Sequence, residues 1–157
     1  MNNDLENYAK EIGLFAPEHE LLRLKFGYEC ALRIVHLLEE PEVIECLETF
    51  GRYIQGHGDE SSLLALQVRA SQLANQHRGS KSIDGCGHAA VSGSYAVANA
   101  IKAKALEAAS YSAYALVYAQ GGYAAVAEKE AFEQEFLWQT IELRKMYAEI
   151  PAFSVGE

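Results

Sequence analysis

The 157 residues carry 22 acids against 13 Lys and Arg, a net charge of −9, and half of them are hydrophobic, the profile of one globular domain whose core needs no disulfide or metal. That balance repels phosphate backbones, so no nucleic-acid partner is expected. Cys30, Cys46 and Cys86 form no CxxC pair, and neither a signal-peptide pattern nor an apolar run of about 18 residues occurs, so reduced thiols in a cytoplasmic protein without a membrane span are expected.

Residues 1–16 are expected to form an N-terminal helix or arm, helical near Asn3 to Ile12. From 17 to 40, Leu21, Leu24, Tyr28, Ala31, Val35 and Leu38 recur at alternating spacings of three and four and predict one helical stripe. Val43, Leu47, Phe50 and Ile54 repeat the pattern over 41–55, where Glu48 stands four residues before Arg52, the favourable order for a surface ion pair. The glycines of Gln55-Gly-His-Gly-Asp-Glu stop that helix, and Asp59 is placed to cap the next. Leu63, Leu66, Ala70 and Leu73 mark a third helix ending near Gly79. Pro17, Pro41 and Pro151 sit at boundaries, where the missing N–H does no harm.

Alanine dominates His88 to Ala131 and predicts helix, with a break near Ile101 to Lys104 where Lys102 and Lys104 intrude. Tyr111, Tyr114 and Tyr118 share a face, read as a buried aromatic seam in preference to a ligand-stacking site. After Gly121-Gly122 a last helix is expected over 123 to about 149, with Phe132, Phe136, Leu143 and Met146 or Tyr147 around Trp138. Glu128, Glu130, Glu133 and Glu135 near its start are explained by the helix dipole, and 151–157 reads as a tail. The expectation is an all-α fold, a compact bundle of about five to seven helices in a single domain spanning 1–157.

Signals for catalysis are weak. Ser80 to His88 contains Gly-Cys-Gly-His but lacks the GxxxxGK[ST] pattern of a phosphate loop, and Asp84 or Ser82 reads as a helix cap. Cys86 beside His88 suggests a thiolate and base, without the orienting group and oxyanion hole that a nucleophile needs. His19, His36, His57, His77 and His88 never form HxxxH or ExxH, so no metal, cofactor or catalytic residue is expected, and His57-Gly-Asp59 would hold a metal only weakly. The strongest polar signal is charge. Glu39, Glu40, Glu42, Glu45, Glu48, Asp59 and Glu60 face a single base, Arg52, and read as a solvated face or as a docking patch for a basic protein.

Three segments, EPEVIECLETFGRYIQGHGDES, LALQVRASQLA and CGHAAVSGSYAVANAIKAKALEAASYSAYAL, resemble the immunity proteins of bacterial polymorphic toxin systems, in particular their all-helical family numbered five. The resemblance spans roughly 20–145. It rests on the proline-led helix that ends in an aromatic residue and glycine, and on Gly87-His88-Ala89 opening a small-residue helix that leads to Tyr114-Ala115. Ser94, Tyr95 and Asn99 stand where members often repeat histidine, and Tyr53 stands in place of the usual Trp. The resemblance implies a non-enzymatic antidote that binds a cognate toxin domain. The expected partner-binding residues are Glu39, Glu40, Glu42, Glu45, Arg52, Tyr53, His57 and Asp59, with Gly87 and His88 structural. A helical scaffold or adaptor, and a small ligand- or metal-binding bundle, are the alternatives, and the sequence allows a monomer or a homodimer.

Overall fold

The computed structural model describes residues 1–77 and 86–150, apart from the side chains at 86, 87 and 123. Among the described residues the architecture is all-α: α1 (Asn3–Ile12), α2 (Glu20–Leu32), α3 (Pro41–Ile54), α4 (Glu60–Gln76), α5 (Cys86–Ile101), α6 (Ala105–Ala125) and α7 (Glu133–Ala148), with short 3-10 turns at Pro17–His19, Val35–Leu37 and Lys129–Phe132. The expected caps at Ser82 and Asp84, the Pro151 boundary and the 151–157 tail lie outside the described residues.

Helix α2 is the spine. Leu24, Tyr28 and Ala31 meet α3, α4 and α5 in one apolar cluster with Val43, Leu47, Phe50, Leu73, Val97 and Ile101. On its other flank Leu22, Phe26 and Cys30 meet α1, α6 and α7 through Leu5, Leu14, Ala109 and Leu143. Because both flanks are buried, the chain is hydrophobic most of the way round here, as a central helix must be. Its α5 crossing depends on size: a Cβ on Gly27 would lie 3.0 Å from the Ala100 Cα. The 17–40 stripe is therefore not one helix. Leu21 is 51 % exposed, and the chain leaves α2 at Leu32, tightening through Arg33 N–H to Cys30 O (3.2 Å) and Ile34 N–H to Ala31 O (3.1 Å). Ile34 turns into the core there, and tertiary burial overrides a periodicity that continues to Leu38.

The break after Ile101 falls where the two lysines place it. Ala103 takes the left-handed conformation (φ 61°), and Lys104 N–H returns to Asn99 O at 2.9 Å, closing the helix as a Schellman turn without glycine. Helices α5 and α6 then lie side by side, antiparallel. The last helix starts ten residues later than 123: α6 continues across a kink at Gly122 to Ala125, a 3-10 turn follows, and α7 opens at Glu133. Phe132 and Phe136 pack with Ala113 and Val117 as a third apolar cluster.

The N-terminal segment is docked. Asn2 caps α1 by accepting from Leu5 N–H (3.2 Å), and its amide donates to Phe136 O (3.0 Å) and Gln139 Oε1 (3.1 Å). Gln139, fully buried, in turn donates to Ala109 O at 2.8 Å, so each polar end of this amide has a partner, the condition for burying it. Arg144 over the Tyr8 ring, 4.2 Å from its centroid, adds a second tie between α1 and α7.

Glu135 corrects another expectation. It is 6 % exposed rather than a solvated dipole group, and it accepts two hydrogen bonds from Arg33, Nε at 3.1 Å and Nη2 at 2.5 Å. The guanidinium also lies 4.2 Å from the centroid of the Trp138 ring. Arg33 thus fixes the end of α2 against α7 by a fork and a stacked plane, both of which need arginine rather than lysine.

Candidate partner-binding face

The acidic residues line the outer side of α3. Spacings of three and four put Glu42, Glu45, Glu48 and Arg52 on one stripe, opposite buried Val43, Leu47 and Phe50, and all four are exposed. Glu39 and Glu40 stand exposed just ahead of Pro41, at the helix N-terminus, where the dipole favours negative charge. Not all of this charge is unengaged. Glu42 forms an ion pair with Arg69 of α4. Arg52 does not pair with Glu48 as the spacing predicted; its Nη2 donates to Thr49 Oγ1 at 3.1 Å.

The α3–α4 corner continues the face. Gly56 (φ 100°) lets His57 N–H reach back to Arg52 O at 3.0 Å, closing α3 and leaving the His57 ring exposed. Asp59 caps α4 as predicted, its carboxylate accepting from Ser62 N–H (2.8 Å) and Ser62 Oγ (3.0 Å). Those bonds, the backbone one first, hold the Asp59 carboxyl below its ordinary value. Asp59→Ala is therefore expected to lower the thermal midpoint at neutral pH. Because the folded pKa is depressed, this contribution is complete above the ordinary aspartate value of 3.8 and vanishes as pH falls through the lowered value. Melting curves of both proteins at neutral and strongly acidic pH check it; a constant difference between them would assign Asp59 another role.

Tyr53 lies half-buried on the side of α3 that meets α4, packed on the main apolar cluster with its ring against Gly58. It is turned about 100° from Arg52 on the helix, so the two do not project together. Glu39, Glu40, Glu42, Glu45 and Arg52 thus lie exposed along the outside of α3 and its approach, and His57 and Asp59 at its corner with α4, whereas Tyr53 turns toward the core; Tyr53 and Asp59 also hold structure.

Helices α5 and α6 correct the expected buried seam. Tyr111 is 38 % and Tyr114 37 % exposed. Gly87 lies in the first turn of α5. His88, one residue on, is exposed and stacks on Tyr118 (5.3 Å between centroids, 24° between planes). Leu64 and Val68 of α4 stand exposed, off the stripe of Leu63, Leu66, Ala70 and Leu73 that turns inward.

Chemically, the described thiols are quiet. Burial pushes the Cys30 thiol well above its ordinary range, helped by Glu135 and Glu142, and burial followed by Glu45 raises that of Cys46, the opposite of what a nucleophilic cysteine needs. Among the described residues no three His, Cys, Asp or Glu side chains gather as metal ligands, and no helix is long and apolar enough to cross a membrane. No family model, curated protein or solved structure matches this chain.

Proposed function

We propose that this protein is a cytoplasmic immunity protein: a non-enzymatic antidote that binds a basic toxin domain through the α3 face and neutralises it. The observation that carries this reading is the exposed stripe of Glu45 and Glu48 beside Glu39, Glu40 and the α3–α4 corner, mounted on a helix whose inner side is fixed in the core by Val43, Leu47 and Phe50. A rigid acidic surface accelerates encounter with a basic partner and repels nucleic acid and other acidic chains. Many toxin domains of polymorphic systems act on nucleic acid and present basic surfaces, which is the complement this face requires. The sequence resemblance supports the same reading, with Arg52 and the exposed part of Tyr53 as contact groups within the acidic field.

Because Glu42 is engaged by Arg69, the decisive substitutions are Glu45→Lys and Glu48→Lys. Together they are expected to slow association with the toxin domain by about tenfold or more at low salt and to flatten its salt dependence, with a smaller change in dissociation. Stopped-flow association across a salt series checks this. Unchanged rates would remove α3 from the interface.

A further inference from the structure

We infer, resting on the role proposed for the α3 face, that the basic partner's footprint crosses from that face onto α2. There Leu21, Tyr28 and Leu32 form its apolar centre and take an aliphatic or aromatic side chain flanked by lysine or arginine. At 100° per residue the three stand within an arc of about 40° on α2, in a row about 16 Å long. Leu21 is 51 % and Leu32 38 % exposed, with half-buried Tyr28 between them. Packing within the chain accounts for Tyr28, which lies edge-on to Phe50 at 5.7 Å, but leaves the two leucines of the row in water.

The row borders the acidic stripe. Tyr28 touches α3 at Gly51, where an added Cβ would lie 2.5 Å from its hydroxyl. Around α3 from Gly51, Ile44 is turned about 20°, Glu48 about 60° and Glu45 about 120°, whereas Glu42, held by Arg69 of α4, is turned about 180°. Glu48 therefore leans toward α2, with Glu45 on the crest beside it. On the far side of the row, toward α7, charge balances: Lys25 and Lys145 stand against Glu29 and Glu142, and Arg33 is committed to Glu135. The α3 carboxylates thus set the sign of the charge along this border.

Area and charge together select the occupant. A specific interface covers roughly 800 Å² of each partner, more than one charged helix stripe supplies, so a partner seated on α3 also covers one of its flanks. On the α4 flank Glu42 is already engaged by Arg69, and the exposed Leu64 and Val68 are turned about 140° and 100° from Arg69, away from α3. The α2 flank instead offers apolar surface next to Glu48, an apolar centre with a charged rim. The carboxylates then govern the rate of encounter, and the α2 row the lifetime of the complex.

The test uses two synthetic helical peptides of equal positive charge, one with a leucine stripe among its lysines and the other with glutamine in place of each leucine. Their binding to the purified full chain is followed by fluorescence anisotropy at low salt. The leucine peptide is expected to bind about tenfold more tightly, and Leu21→Gln with Leu32→Gln to remove that preference without changing the affinity for the glutamine peptide. Leu64→Gln with Val68→Gln is expected to preserve it. Glutamine matches leucine closely in helix propensity, so circular dichroism is expected to stay unchanged. Should the α2 pair lose helix, Leu21→Gln alone, at the more exposed position, decides by removing part of the preference. Equal binding of the two peptides, or a preference that depends on Leu64 and Val68 instead, overturns the inference and leaves the acidic face standing. Binding of neither peptide, or indifference of both to Glu45→Lys with Glu48→Lys, overturns the acidic-face reading and this inference with it.

Discussion

Replacing Arg33 by Met is expected to lower stability by about 3 kcal/mol, because it strands a buried carboxylate. Glu135 is nearly inaccessible to water, and both its described hydrogen-bond partners are guanidinium nitrogens. The Arg33 head itself is partly exposed, with its side chain at 38 %, so the loss comes from what Glu135 forfeits more than from what Arg33 gains. Two companions separate this from simple lost packing. Arg33→Met combined with Glu135→Leu removes the charge that would be stranded and is expected to recover most of the loss. Arg33→Lys keeps the charge but loses the two-pronged bond and the plane over Trp138, and is expected to cost about 1 kcal/mol. Chemical denaturation of the four proteins checks the order. A double variant as unstable as Arg33→Met alone would contradict the stranded-charge account.

The other large effect is expected at Gly27. Gly27→Val should destabilise by about 3 kcal/mol, since the branched side chain meets the α5 backbone and one helix must shift. The nearest atom to an added Cβ is the Ala100 Cα, 3.0 Å away, and a backbone atom cannot rotate aside. Gly93 is the useful contrast: a Cβ there meets the Leu38 Cδ2 at 2.8 Å and the Ile34 Cδ1 at 3.3 Å, the ends of flexible side chains. Gly27→Ala is expected to lose much less, as the gain of about 1 kcal/mol in helix propensity offsets part of the crowding. Thermal melts rank the variants, and a Gly27→Val protein as stable as the parent would show that the α2–α5 crossing has room.

Much of the fold was legible because, among the described helices, α1 and α3 carry a strong apolar period and alanine marks α5 and α6. The α3 and α4 boundaries follow from Pro41 and Asp59, residues whose local chemistry does not depend on the rest of the fold. The misses have a common cause. Leu32 ends α2 without glycine or proline, because burial of Ile34 decides it, and nothing local distinguishes Glu135 from Glu128 or Glu133 until Arg33 is brought beside it. The acidic face was legible as a run of charge, but the sequence could not show that Glu42 is engaged by Arg69, that Arg52 turns to Thr49, or that Tyr53 is half-buried. For α6, periodicity correctly grouped the three tyrosines and misassigned their environment. A stripe can face a core or an edge, and α5, lying alongside, leaves Tyr111 and Tyr114 at the edge.

The proposed role is tested most directly by affinity capture of the protein from its native cell lysate at low and then moderate salt, followed by co-expression with whatever is retained. The account predicts one stoichiometric partner carrying a basic toxin domain, held more firmly at low salt, whose toxicity disappears when this protein is present. Retention of a metabolic enzyme or of further copies of this chain alone, or a captured toxin that kills regardless, would contradict it.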